Sequence, residues 1–316
     1  MSTAYFTHPL CHLHEMGAGH PECPQRLAAI EDRLLVTGLA DLIERRSAPE
    51  AQLAELERAH SAMLIASIAD WSDQAGRSAD AGSSARVQID PDTAANRHTW
   101  AAALRAAGAV IAATDAVIAG EVDNAFCAVR PPGHHACRSQ AMGFCFFNNV
   151  AVAALHALEV HGLRRVAIVD FDVHHGNGTE DIVAGDERIL MVSFFQHPLY
   201  PYSGTEPAAS NLLNLPVPPY TRGPAIRDLI EQHWLPRLEA FAPELIFISA
   251  GFDAHRDDEL GQLGLVEADY AWITRRLMDL AARHARGRIV SSLEGGYHLD
   301  ALARSVEAHL RTLADL

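Results

Sequence analysis

The stretch VDFDVHHGNGTE, residues 169–180, gathers carboxylates and imidazoles at the end of an apolar run. Asp172 and His174 are two residues apart, so on an extended strand end their side chains point the same way. Asp253, in SAGFDAHRDD, follows a second apolar run. One imidazole and two carboxylates make a three-ligand set that leaves positions open for water and substrate, as a hydrolytic metal needs. Zinc is the default ion, and oxygen-rich ligation also suits Fe2+. Any one of these residues alone reads as a solvated rim or a helix cap. The set does not.

His134 and His135 follow RPPG, whose prolines and glycine fix an irregular turn that could aim both rings into a pocket. Adjacent histidines can act as a general base and acid pair when partners set their charge states. Asp170 and Asn177 flank the metal-type strand and could orient one imidazole each. A carboxylate partner raises imidazole basicity and a neutral amide does not, so the two rings would differ in pKa. Tyr297 follows EGG, where glycines permit a tight turn. A phenol there could donate a hydrogen bond to a developing oxyanion.

Such chemistry needs elements that bring distant residues together. AFCAV (125–129), RVAIVDFD (165–172), ILMVSFF (189–195), LIFISAG (245–251) and RIVSSLEGG (288–296) are short apolar runs, read as strands buried on both faces. Alanine-rich amphipathic stretches at 99–119, 146–162, 224–241, 267–285 and 299–313 read as helices between them. The alternation predicts an α/β fold with a central, mostly parallel sheet flanked by helices on both faces. In open parallel sheets ligands sit beyond the carboxyl ends of the strands, which is where the polar residues cluster. Residues 73–93, DQAGRSADAGSSARVQIDPDT, read as a surface loop in a weakly patterned region, and 196–223 as a long connection rich in Pro, Gly, Asn and Tyr. No linker divides the chain, so residues 1–316 are expected to form a single domain.

Composition narrows the function further. The chain is 49% hydrophobic and 21% charged, which allows a large core. The net charge of −15 disfavours nucleic acid, whose phosphates need a basic footprint. No apolar run of membrane-spanning length is present, and the first residues lack the regions of a signal peptide. Five cysteines without a Cys-x-x-Cys pair indicate neither a disulfide framework nor a zinc ribbon, so a reduced, cytoplasmic protein is expected. The long segments 1–23 and 196–223 could build a homo-oligomer interface.

RPPGHHA, GFCFFNN, DFDVHHGNGTE, SAGFDAHRDDELG and LEGGYH together resemble the zinc-dependent histone deacetylase family, on the arginase-deacetylase fold. The resemblance runs from HPECPQRL near residue 20 to beyond Tyr297, and the asparagine of HHGNG is similar to the class II branch, which includes bacterial amidohydrolases and acetylpolyamine amidohydrolases. By resemblance, Asp172, His174 and Asp253 hold the zinc, His134 pairs with Asp170, and His135 pairs with Asn177. It also implies that His135 is the general base, His134 is more electrostatic, and Tyr297 polarises the amide carbonyl. A structural K+ is implied too, bound by Asp170 and the carbonyls of Asp172, His174, Ser193 and Phe194. Phe144 and Gly143 would wall an acyl-lysine tunnel, Tyr200 takes what is often a phenylalanine position, and Leu260 sits on the rim. Some polyamine deacetylases carry glutamate at that rim position; leucine argues against their selectivity, while Glu259 and Asp258 keep an ammonium site open. The implied substrate is an acylated amine: an acetyl-lysine peptide, an acetylpolyamine or a small amide.

Other signals carry less. His8, His12, His14 and His20 crowd the start of the chain and read first as a surface loop, with an accessory metal site as the sharper alternative. Arg26 weakly resembles the family's internal arginine. A binuclear ureohydrolase would need further aspartates where Gly176 and His255 stand. A nucleotide-binding enzyme would need glycine motifs the chain lacks. A non-catalytic acyl-group binder would be expected to have lost a ligand or Tyr297.

Overall fold

The apolar runs become strands whose residues are buried on both faces, as continuous hydrophobic stretches in parallel sheets are. The computed structural model describes residues 2–78 and 85–316. Its strands are β1 (Thr3–Thr7), β2 (Glu44–Ser47), β3 (Val87–Gln88), β4 (Ala94–Ala95), β5 (Asn124–Cys127), β6 (Val166–Asp170), β7 (Ile189–Gln196), β8 (Leu212–Val217), β9 (Leu245–Ala250) and β10 (Ile289–Leu293). The helices are α1 (Gln25–Val36), α2 (Leu53–Leu56), α3 (Ala62–Ser78), α4 (Thr99–Ala119), α5 (Asn149–Glu159), α6 (Asn177–Val183), α7 (Gly223–Leu229), α8 (Leu235–Phe241), α9 (Glu267–His284) and α10 (Leu299–Leu313).

Eight strands form one sheet in the order β2-β1-β5-β10-β9-β6-β7-β8, and each neighbouring pair runs parallel. Around it α1, α9 and α10 pack as one group, and α4 with α5 as another. The order has one consequence for function. β5, β10, β9 and β6 are consecutive in the sheet, so RPPGHH, EGGY, GFDAH and DFDVHH leave from four adjacent strand ends. Helix α4 has the length and hydropathy to cross a membrane, but 72% of its apolar window is buried within the protein.

Several elements depart from the expected pattern. Region 73–93 begins inside α3, which reaches Ser78 and buries Leu64, Ile65, Ile68, Ser72 and Ala75 at helical spacing. Its polar second half masked that stripe, and residues 79–84 of the expected loop lie outside the described residues. The connection 196–223 contains β8, whose Pro216 is tolerated because β8 is the edge strand and needs no ladder on its outer side. At the other edge, β2 reads ERRS and carries no hydrophobic signal at all.

The N-terminal histidines do not form a plain surface loop. His14 is fully buried, with Nδ1 2.9 Å from Thr99 Oγ1. Beside it Glu22, Arg26 and Arg130 are each 0% exposed. Arg130 donates to both oxygens of Glu22 and to the carbonyls of Cys11 and His14, and Arg26 donates to Glu22 Oε1 and to the Gly296 carbonyl at 2.7 Å. Burial alone would raise the Glu22 carboxyl, but the two guanidinium groups outweigh it and hold the pKa down to about 2. A carboxyl depressed on folding stabilises the fold fully above its ordinary value and loses that contribution as pH falls through the folded value. The stability gap between wild type and Glu22→Gln should therefore shrink by about 3 kcal/mol as pH falls from 5 towards 2. Urea unfolding of both proteins at several pH values measures it, and a gap independent of pH would mean that the pair carries no such charge.

Candidate active site

The end of β6 turns so that Asp170 Oδ1 accepts the Asp172 N–H at 3.0 Å, which leaves the Asp172 and His174 side chains beside Asp253 from the end of β9. His174 Nδ1 lies 3.0 Å from Asp172 Oδ1 and 3.1 Å from Asp253 Oδ2, and the three donor atoms lie within 4.8 Å of one another. Asp172 and Asp253 are 0% exposed. Burial opposes a charge on His174, yet its hydrogen bonds to the two carboxylates push it up to about 10. Burial and the neighbouring Asp172 raise Asp253. Among the described residues the groups ion-paired with these two buried carboxylates are imidazoles, His174 between both and His134 beside Asp172, and such a set of exchangeable donors is one that a divalent metal fits. The neighbouring chain makes room for them: a Cβ on Gly251 or Gly295 would collide with the Asp172 or Asp253 carboxylate.

The turn after β5 brings both histidines to this cluster. His134 Nδ1 is 3.0 Å from Asp170 Oδ2, and its Nε2 is 3.7 Å from Asp172 Oδ2. Burial works against protonation of His134, but Asp172 and Asp170 together raise its pKa well above the ordinary value. His135 Nδ1 sits 2.7 Å from Asn177 Oδ1. The Asn177 amide nitrogen faces Cys137 Sγ at 3.5 Å and Met142 Sδ at 3.4 Å, acceptors that fix which end of the amide is oxygen. His135 therefore donates through Nδ1 and keeps the Nε2 lone pair. Burial, then the charges of His134 and His174, lower its pKa well below the ordinary value. One ring is cationic and the other neutral.

Glu294, in the EGG segment after β10, is fully buried and was not singled out from sequence. Its Oε2 accepts the N–H groups of Gly133 at 2.6 Å and His134 at 3.0 Å, so it holds the turn that presents both rings. Burial pushes this carboxyl up to about 7.

A cavity of about 220 Å³ leads to the cluster, lined by His135, His174, Gly143, Phe144, Leu199, Tyr200, Tyr202, Leu260, Tyr297 and Asp92. It is small for a ligand pocket, of a size to take the end of one extended chain. Gly143 and Phe144 both take positive φ, 56° and 69°. At Gly143 a Cβ would strike the His135 ring, and for Phe144 this backbone is uncommon enough to suggest a functional constraint. The Phe144 and Tyr297 rings meet edge to face at 5.9 Å, and Tyr200 meets His135 at 5.2 Å. Arg26 lies 5.0 Å over the Tyr297 ring. The residues expected to hold K+ are also neighbours, since Asp170 stands in register with Ser193 across β6 and β7, with Phe194 next in the chain.

One expectation about the rim changes. Asp258 is buried: its Oδ2 accepts from the N–H groups of Tyr297 (2.6 Å) and His298 (3.0 Å), and its Oδ1 from that of Leu260 (3.0 Å). It shapes the Tyr297 turn and does not face a substrate. Among the described residues the carboxylate that does line the cavity is Asp92, inside the stretch 73–93 expected as a surface loop. Asp92 precedes Thr93, whose Oγ1 accepts the Phe144 N–H at 3.1 Å.

Residues 20–313 match the model of a histone deacetylase domain. The chain is 38% identical over 319 residues to a histone deacetylase-like amidohydrolase of Pseudomonas aeruginosa, covering 93% of this chain and 81% of that protein. It is 39% identical over 306 residues to the polyamine deacetylase HDAC10 of Mus musculus, covering 92% of this chain and 44% of that one. The solved HDA15 HD domain superposes with a TM-score of 0.90 at 34% identity, over 99% of this chain and 88% of that one.

Proposed function

The chain belongs to the histone deacetylase family, and from that premise we propose that it is a zinc-dependent amidohydrolase that cleaves linear N-acyl amides, releasing a carboxylic acid and an amine. The convergence of Asp172, His174 and Asp253 at the foot of a narrow cavity carries the reading. These three residues would hold the zinc, with Fe2+ compatible with the same donors. Bound there, the ion would polarise the acyl carbonyl and lower the pKa of water.

The chain's own groups supply the proton transfers. His135, neutral and with Nε2 unprotonated, takes a proton from the attacking water as the water oxygen adds to the carbonyl carbon. Tyr297 donates its hydroxyl hydrogen bond to the carbonyl oxygen as negative charge develops there. The carbon–nitrogen bond then breaks, and the proton gained by His135 passes to the leaving nitrogen. His134, held cationic by Asp172 and Asp170, stabilises the negative charge without moving a proton. Asp170 and Asn177 orient the two rings. A K+ at Asp170, Asp172, His174, Ser193 and Phe194 would offset the carboxylate charge below them. Phe144, Gly143, Tyr200 and Leu260 wall the tunnel for the acyl-amine chain. Five free thiols accord with a cytoplasmic setting.

An acetyl-lysine type of substrate fits first. Asp92 favours a second reading, an acetylpolyamine, because its carboxylate lines the same cavity and could receive an ammonium group. Acyl release from an acetyl-lysine peptide, a trifluoroacetyl-lysine analogue, N-acetylputrescine and a simple anilide, each with a chelated control, tests both. Chelator-sensitive release is expected, and a preference for N-acetylputrescine would select the polyamine. No release from any of them would overturn the enzyme reading in favour of an acyl-group binder.

A further inference from the structure

A second group of metal-type ligands lies away from the strand ends, where α4 meets the end of α5. His156 Nε2 is 2.7 Å, and His161 Nε2 2.6 Å, from the same oxygen, Asp115 Oδ1. The three donor atoms lie within 4.8 Å of one another, and among the described residues only this group and the strand-end cluster have that property. His156 stands in the last turns of α5, and His161 lies beyond its end; Asn148 caps the opposite end, roughly 15 Å along the axis.

We infer that Asp115, His156 and His161 form an accessory site for a divalent transition-metal ion such as zinc. Two imidazole nitrogens and one carboxylate are a donor set such ions favour. The two rings meet nearly perpendicular, at 72° with centroids 5.2 Å apart, and turn both Nε2 atoms to the same carboxylate oxygen. The Asp115 side chain is 50% exposed and that of His161 24%, which leaves solvent able to complete the coordination shell. Tetrahedral zinc sets its ligand atoms about 3.3 Å apart, so the contacts must open by about 0.7 Å, a shift within reach of the half-exposed Asp115 and the part-exposed His161 about a buried His156. Among the described residues His156 Nδ1 is buried without a partner, whereas metal-bound imidazoles usually donate from the other nitrogen. The accessory site is therefore weaker than the strand-end site, and its ion would be lost on desalting. Bound metal would clasp α4 to α5 without entering the reaction.

Metal counting at equilibrium tests it, by dialysing the protein against buffered free zinc and measuring bound zinc by mass spectrometry. Wild type should hold one equivalent more than His161→Ala, and Asp115→Ala should match His161→Ala with acyl release unchanged. Equal counts in wild type and both variants would overturn the assignment. The difference is read independently of the proposed catalytic site: if that site bound no zinc, the counts would be one and zero in place of two and one.

Discussion

Tyr297→Phe should leave the fold and metal content intact while lowering turnover by roughly a hundredfold or more, the usual cost of losing one oxyanion donor. The substitution removes a single oxygen. The phenylalanine ring keeps its edge-to-face contact with Phe144, its place under Arg26 and the backbone bond from residue 297 to Asp258. Burial and the nearby Asp253 raise the phenol pKa well above its ordinary value, so the hydroxyl remains a donor throughout the working pH range. Its hydrogen bond strengthens as charge develops on the carbonyl oxygen, so the loss should fall on kcat with KM little changed. Steady-state kinetics beside zinc content and melting temperature separate the cases. Near-normal turnover would remove Tyr297 from its assigned role, and a lower melting temperature would reveal a structural one.

The chemistry of this chain was more legible than its frame. Asp172, His174, Asp253, His134, His135 and Tyr297 stand at strand ends, where a short apolar run followed by ionisable residues is visible in sequence. The sheet order was not visible, and it is the adjacency of β5, β10, β9 and β6 that turns four motifs into one site. Edge strands were lost for a physical reason: β2 and β8 face solvent or carry proline and need no continuous apolar run. Asp258 and Asp92 show a sharper limit. A carboxylate that accepts backbone N–H groups and one that lines an open cavity look alike in sequence, and only their neighbours tell them apart. The buried Glu22–Arg26–Arg130 network shows the same limit, because ion pairs between residues far apart in sequence have no local pattern.

Asp253→Ala should abolish zinc binding at the strand ends, and acyl release with it, in a protein that still folds. Asp253 Oδ2 is one of three converging donors, and the alanine variant leaves Asp172 and His174, too few to hold the ion against water. Changing only an orienting partner of a ligand weakens metal binding by roughly 10–100-fold, so deleting a ligand should exceed that. The fold should tolerate the change because the two opposing effects are local. The variant loses the Asp253 Oδ1 bond to the Val173 N–H (2.8 Å), but it also relieves the repulsion between two buried carboxylates. Zinc is best counted in a His161→Ala background, where the accessory site cannot contribute. There the protein with Asp253 intact should bind one equivalent and the alanine variant none, and Asp253→Asn, which keeps an oxygen donor, should fall between them in affinity. A full equivalent retained by Asp253→Ala in that background would place the catalytic ion elsewhere. Loss of zinc with acyl release intact would mean that the hydrolysis needs no metal at this site.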